Sequence, residues 1–154
     1  MRRFAAVLLV GFIATDAMAK SHVPRANTHA AIKAYVEQAA RVIAKSGPSC
    51  ETFSSKDWQS GDYYIFVVGP DDKILCHPNA SLVGKMNADV VDANGKKLGL
   101  EIVENAKKKG GGWTDYVWPR PGTTNPVPKM TYSMRVKGPG GKWYTVGGGG
   151  YELK

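Results

Sequence analysis

The chain has 154 residues, a formal net charge of +8 and 43% hydrophobic residues. Its one long apolar run, Phe4 to Ala14, is eleven residues, too short to span a bilayer. The basic residues are spread along the chain, which argues against a nucleic-acid-binding protein despite the charge.

Arg2 and Arg3, the apolar run, and Ala17-Met18-Ala19 as a small-x-small site read as a cleaved export leader over residues 1–19. Loss of Arg2, Arg3 and Asp16 with the leader leaves a net charge of +7. Residues 20–154 then suffice for one domain around one core, periplasmic or secreted, with no membrane span.

Residues 27–46 carry Ile32, Tyr35, Val36, Ala39, Ala40, Val42 and Ile43 at three- and four-residue steps, an amphipathic helix whose stripe is core packing. Asn27 or Thr28 can cap its start, and Gly47-Pro48 stops it. Cys50 follows closely, and Cys76 is the second cysteine of the chain. An oxidising compartment and an even count favour a Cys50–Cys76 disulfide over two unpaired buried thiols. No C-x-x-C-H is present for haem, and the soft ligands are too few for zinc.

Tyr63 to Val68 is aromatic and β-branched, and Ile74 to His77 returns as a second strand after Gly-Pro-Asp-Asp. A four-residue turn sets Tyr64 opposite His77, Ile65 opposite Cys76 and Phe66 opposite Leu75. Tyr64, Phe66, Leu75 and His77 then share one face, and Ile65, Val67, Ile74 and Cys76 the other. Residues 78–97 are irregular, broken by Gly84 and by Asp92-Ala93-Asn94-Gly95. Leu98 to Lys109 is a second helix with Leu98, Ile102, Val103 and Ala106 inward; its terminal lysines oppose the negative dipole end. Three strands follow, Trp113–Trp118, Lys129–Val136 and Trp143–Gly147 or on to Tyr151. The expected architecture is α+β, a long N-terminal helix packed on a five-stranded antiparallel sheet.

DYYIFVV, ILCHPN, LVGK, GLEIVENAKKKGGGWTDYVWPRPG, PKMTYSMRV, KWYTV and GGGGY, in this order and spacing, resemble Cache domains. These are extracytoplasmic small-molecule sensing modules of bacterial receptors. The resemblance covers roughly residues 30 to 152 and implies a PAS-like strand order, 2-1-5-4-3. It also implies a ligand on the sheet face away from the long helix, beneath the irregular segment. That places Tyr64, Phe66, His77, Tyr116, Trp118, Lys129 and Tyr132 at or near the pocket. Family ligands include small carboxylates such as acetate, pyruvate or propionate, and amino acids.

Chemistry suggests the roles. Lys129 would donate a charge-assisted hydrogen bond to a carboxylate, Tyr116 and Tyr132 hydroxyl bonds, while Phe66 and Trp118 bound an apolar tail. His77, with a reference pKa near 6.5, would make binding pH-sensitive, or would simply bond the 79–84 loop. Asp115, the nearest acidic residue, has the wrong parity to meet a ligand amine, which favours a simple organic acid over an amino acid. Affinities between about micromolar and millimolar suit so small a ligand.

Catalysis lacks support: no Ser-His-Asp or Cys-His spacing exists, and Gly147 to Gly150 lacks the Lys-Ser/Thr of a phosphate loop. The expectation is a non-enzymatic sensor, with no cofactor and no metal, reporting a small organic acid to a membrane receptor or sensor kinase. The alternative is an adaptor acting through its surface, with a vestigial pocket.

Overall fold

The computed structural model describes residues 21–153, so the expected leader lies outside the described residues. Helix α1 (His29–Ser46) starts where the Thr28 hydroxyl accepts a hydrogen bond from the Ala31 N–H. It ends at Gly47, whose N–H still reaches the Ile43 carbonyl at 2.8 Å and whose φ of 79° then turns the chain out of the helix. Ile32, Tyr35, Val36, Ala39, Ala40 and Ile43 are its buried stripe, as the periodicity requires. Short α2 (Cys50–Ser54) follows, capped by Ser49, with Phe53 packed edge-on against Trp58.

The remaining elements are β1 (Ile65–Val68), β2 (Ile74–Cys76), α3 (Leu98–Ala106), β3 (Gly112–Pro119), β4 (Pro126–Lys137) and β5 (Trp143–Tyr151). They form one antiparallel sheet in the order β2-β1-β5-β4-β3. The back of the sheet, with Ile65, Val67, Tyr132, Val136 and Val146, packs on α1. The front, with Tyr64, Phe66, Val68 and Tyr116, packs on Val90, Leu98 and Ile102. Two 3-10 turns, Ala80–Leu82 and Asn87–Asp89, punctuate the irregular 78–97 segment. Among the described residues no helix is long and apolar enough to cross a membrane.

The hairpin register differs from the sequence expectation. Gly69 N–H bonds the Lys73 carbonyl, and Asp72 adopts φ 60°, so the loop has three residues rather than four. Val68 then pairs Ile74 and Val67 pairs Cys76, leaving Leu75 as the extra residue of a bulge. Ile74 consequently joins the front cluster and Leu75 packs against the back one, the reverse of strict alternation. Beyond the bulge the parity recovers, with Cys76 at the back. There it forms a disulfide with Cys50, Cα atoms 5.2 Å apart, tying α2 to β2.

Candidate ligand-binding site

Period-two alternation on each strand gathers the front residues. Phe66 comes from β1 and Tyr64 from the residue just before it; Tyr116 and Trp118 come from β3, Lys129 and Thr131 from β4. His77 follows β2 and meets the Tyr64 ring edge-on at 5.2 Å and the Trp118 ring at 6.5 Å. Tyr64, Phe66, His77, Tyr116 and Trp118 line one small cavity of about 30 Å³, roofed by Leu82, Asn87, Val90, Leu98 and Ile102. That is space for roughly one water molecule. An open cleft of about 680 Å³ shares Tyr64, His77, Leu82 and Trp118 with it and runs out past Asn79 and Arg120 to Thr124. The apolar chamber therefore has a wet antechamber.

Lys129 is the unusual member. Its residue is only 2% exposed, and its Nζ donates to the Tyr64 hydroxyl at 2.5 Å. Three tyrosine rings surround the ammonium, Tyr64 at 4.0 Å, Tyr151 at 4.8 Å and Tyr116 at 6.0 Å. Among the described residues no carboxylate lies within 4.0 Å of it. Burial drives its pKa from 10.5 down to about 7, and the Asp62 carboxylate offsets only part of this. Lys129 lines neither the 30 Å³ cavity nor the 680 Å³ cleft. It lies at a separate cleft of about 380 Å³ with Asp92, Lys96, Tyr116 and Glu152, and it is joined to the cavity wall by its bond to Tyr64.

The glycine run of β5 makes room for this arrangement. A Cβ on Gly147 would lie 2.3 Å from the Phe66 ring, and one on Gly149 would lie 2.5 Å from the Met130 carbonyl and 2.9 Å from Lys129 Cε. The strand must be bare where the front residues lie flat on it.

Tyr116 shares a 2.7 Å hydrogen bond with the buried Thr131 hydroxyl, so its ring is fixed. Burial pushes the phenols of Tyr64 and Tyr116 well above their ordinary value of 10 and that of Tyr151 up to about 12. All three are neutral hydrogen-bonding groups at neutral pH.

Two expected roles change. Tyr132 lies on the back of the sheet, packed with Trp113 at 5.2 Å, and its hydroxyl donates to the Gly110 carbonyl. It is three residues from Lys129, and period two sends the pair to opposite faces. Of the two parts expected for His77, the bond to the 79–84 loop is the one found, and its titration is moved below neutral pH. Burial, then the Lys129 charge, lowers its pKa from 6.5 to about 4. Its Nδ1 accepts from the Asn79 N–H at 2.9 Å, so the proton sits on Nε2. The group that ionises near neutrality is Lys129.

Sequence reasoning overlooked Thr131 and Tyr151. Thr131 shares the parity of Lys129, a signal that was present. Tyr151 is placed by its pairing with Lys129 across β4 and β5, which needs the sheet order.

The roof is pinned at both ends. Asn87 Nδ2 donates to the Gly99 carbonyl at 2.8 Å, and Gly99 must lack a side chain because its Cβ would fall 1.8 Å from the Asn87 carbonyl oxygen. Asp92 accepts from the N–H groups of Asn94, Lys96 and, on β3, Val117. Burial acts to raise its carboxyl pKa, but these bonds win and hold it below the ordinary value. Asp115 points outward and pairs with Lys96 at 3.6 Å, away from the cavity.

Comparison with known proteins agrees with this fold. The profile of a family described as single Cache domain 2 matches residues 14–152. A solved structure described as the periplasmic sensor domain of a chemotaxis protein is 30% identical, with a TM-score of 0.54 over 80% of this chain and 74% of that one. Another, described as the structural basis for carboxylic acid recognition by a Cache chemosensory domain, is 26% identical, with a TM-score of 0.52 over 80% and 72%. The sensor histidine kinase MctS of Rhizobium johnstonii is 32% identical over 93 residues, which is 60% of this chain. The matched region spans only 19% of that kinase.

Proposed function

This chain belongs to the single Cache domain 2 family, and we propose that it is an exported sensor domain that binds a small organic acid on the front of its sheet and signals to a partner. The ligand class is a short monocarboxylate of the acetate, pyruvate or propionate type. The observation that carries this reading is the Lys129 ammonium, buried among three tyrosine rings with no carboxylate within 4.0 Å among the described residues. A buried charge is costly until an opposite charge meets it.

The acid enters through the open cleft and parts the roof. Its carboxylate takes the Tyr64 hydroxyl and draws the Lys129 ammonium forward, with the His77 Nε2–H as a further donor. Its short tail rests on Phe66 and Trp118. The 78–97 roof then closes over it, and that change of shape is what the partner reads. The solved relative described as recognising carboxylic acids supports the ligand class. The Rhizobium kinase supports a membrane receptor or sensor kinase as the partner. The leader read at residues 1–19 supports a periplasmic or secreted location.

Calorimetry with acetate, propionate and pyruvate tests the reading. Saturable binding, with a Kd between about micromolar and millimolar, should be abolished in Lys129→Met, which retains the apolar stem. Unchanged affinity in that variant removes Lys129 from the site. The cavity of about 30 Å³ favours a second reading, an adaptor with a vestigial pocket. No rise in melting midpoint across a broad set of organic and amino acids would select it.

A further inference from the structure

The front of the sheet is covered along only part of its length. Strand β4 has 12 residues and α3 has 9, so at about 3.3 Å and 1.5 Å per residue the strand extends well beyond the helix. Past the end of α3, Arg135 and Lys137 of β4 and Trp143 and Thr145 of β5 share the front face by their pairing. Arg135, Trp143 and Thr145 line a groove of about 490 Å³ between the end of α3 (Val103, Lys107) and the β1–β2 turn (Gly69, Pro70, Asp72), and Lys137 stands beside it across the Trp143 ring.

This groove is chemically distinct from the buried site. Trp143 is 45% exposed, the Arg135 guanidinium stacks on its ring at 4.7 Å, and Lys137 Nζ stands 5.8 Å from the same ring. Lys142 and Lys107 add charge at the rim. Lys107 is neutralised by Glu104. Among the described residues Arg135, Lys137 and Lys142 have no carboxylate within 4.0 Å. The acidic lining residue, Asp72, already accepts from the Ala88 N–H. Two cations are therefore held against one indole without an anion between them, which leaves a repulsion that a bound anion relieves.

We propose that this groove is a docking site for an extended acidic segment of a partner protein. Its carboxylates would meet Arg135, Lys137 and Lys142, and an apolar side chain would cover Trp143. A net charge of +8 opposes a second copy of this chain as the occupant. A flat lipid surface does not reach a floor recessed between a helix end and a hairpin turn. Exposed aromatic and arginine side chains together are the usual anchors of a protein interface.

The test is fluorescence anisotropy with fluorescein-labelled octaglutamate at low and at 300 mM salt. Saturable binding is expected, weakened about tenfold or more by the higher salt. It should also weaken about tenfold or more in Arg135→Gln/Lys142→Gln and several-fold in Trp143→Ser. A control pair on exposed lysines elsewhere, Lys45→Gln/Lys56→Gln, should bind as the parent does. Melting midpoints of the Arg135→Gln/Lys142→Gln and Lys45→Gln/Lys56→Gln variants should match the parent, because those side chains are exposed. Trp143, 45% exposed, is more than half covered, so Trp143→Ser should melt lower and is compared by its binding while folded. Equal loss in the control pair would reduce the binding to bulk charge and overturn the proposal. So would absent peptide binding, or phosphatidylglycerol vesicles that bind through these residues while octaglutamate does not. Any melting shift produced by acetate should be the same in the groove variants, which keeps this test independent of the cavity.

Discussion

Replacing Lys129 by Met should change the pH dependence of stability in a way no surface lysine could. The folded pKa of about 7 lies below the ordinary 10.5, so the unfolded chain binds the extra proton between these values. Stability therefore rises with pH across that window; below pH 7 the whole penalty for burying the ammonium is present. At 1.36 kcal/mol per pH unit, the penalty is about 5 kcal/mol at pH 6 and about 2 kcal/mol at pH 9. Met relieves it at both pH values but leaves the Tyr64 hydroxyl without its Lys129 partner, a loss of roughly 1–3 kcal/mol. The cation–ring contacts belong to the charged form alone and are already contained in the folded pKa. The loss at Tyr64 is taken as constant over this range, because the tyrosines at the site titrate above it. The variant's stability relative to the parent should thus fall by about 3 kcal/mol between pH 6 and pH 9. Urea unfolding at the two pH values, without ligand, measures it. A difference that does not move with pH would refute the claim that burial lowers the Lys129 pKa.

The same lysine should make acid binding proton-linked: near pH 8 a carboxylate at Lys129 raises its pKa, so the calorimetric enthalpy should vary with the ionisation enthalpy of the buffer, and a single value in phosphate and Tris would contradict this. His77, with its folded pKa lowered to about 4, withholds stability as pH falls from 6.5 through 4; in His77→Gln the acid side of the stability profile should be flatter over that interval. Gly149→Ala should cost at least about 2 kcal/mol by thermal denaturation, because its Cβ meets a backbone carbonyl. Gly148→Ala, whose nearest contact is 3.1 Å, should cost less. Replacing both Cys50 and Cys76 by Ser opens a loop of 26 residues and should lower stability by about 3.5 kcal/mol in urea.

Much of this protein could be read before folding because its information is local. The stripe Ile32, Tyr35, Val36, Ala39, Ala40 and Ile43 dictates a helix buried on one side, since 3.6 residues per turn admits no other face. Alternation likewise put Tyr116 and Trp118 together, and it contained the correction for Tyr132, whose odd spacing from Lys129 sends it to the back. The strand order came from the family pattern, because spacing alone does not say which strands are neighbours.

Three things were decided only by the tertiary structure. The tight turn at Gly69–Lys73 inserted a bulge and exchanged the faces of Ile74 and Leu75, since one extra residue reverses every parity until the register recovers. The pairing of Lys129 with Tyr151, residues far apart in the chain, completed a cage of rings that no local pattern encodes. The ionisation of that cage was decided there as well. A lysine and a histidine carry ordinary pKa values in the sequence, and only burial made Lys129, rather than His77, the group that titrates near neutrality. Side-chain periodicity is a property of the chain, whereas desolvation belongs to whatever the fold packs around a charge.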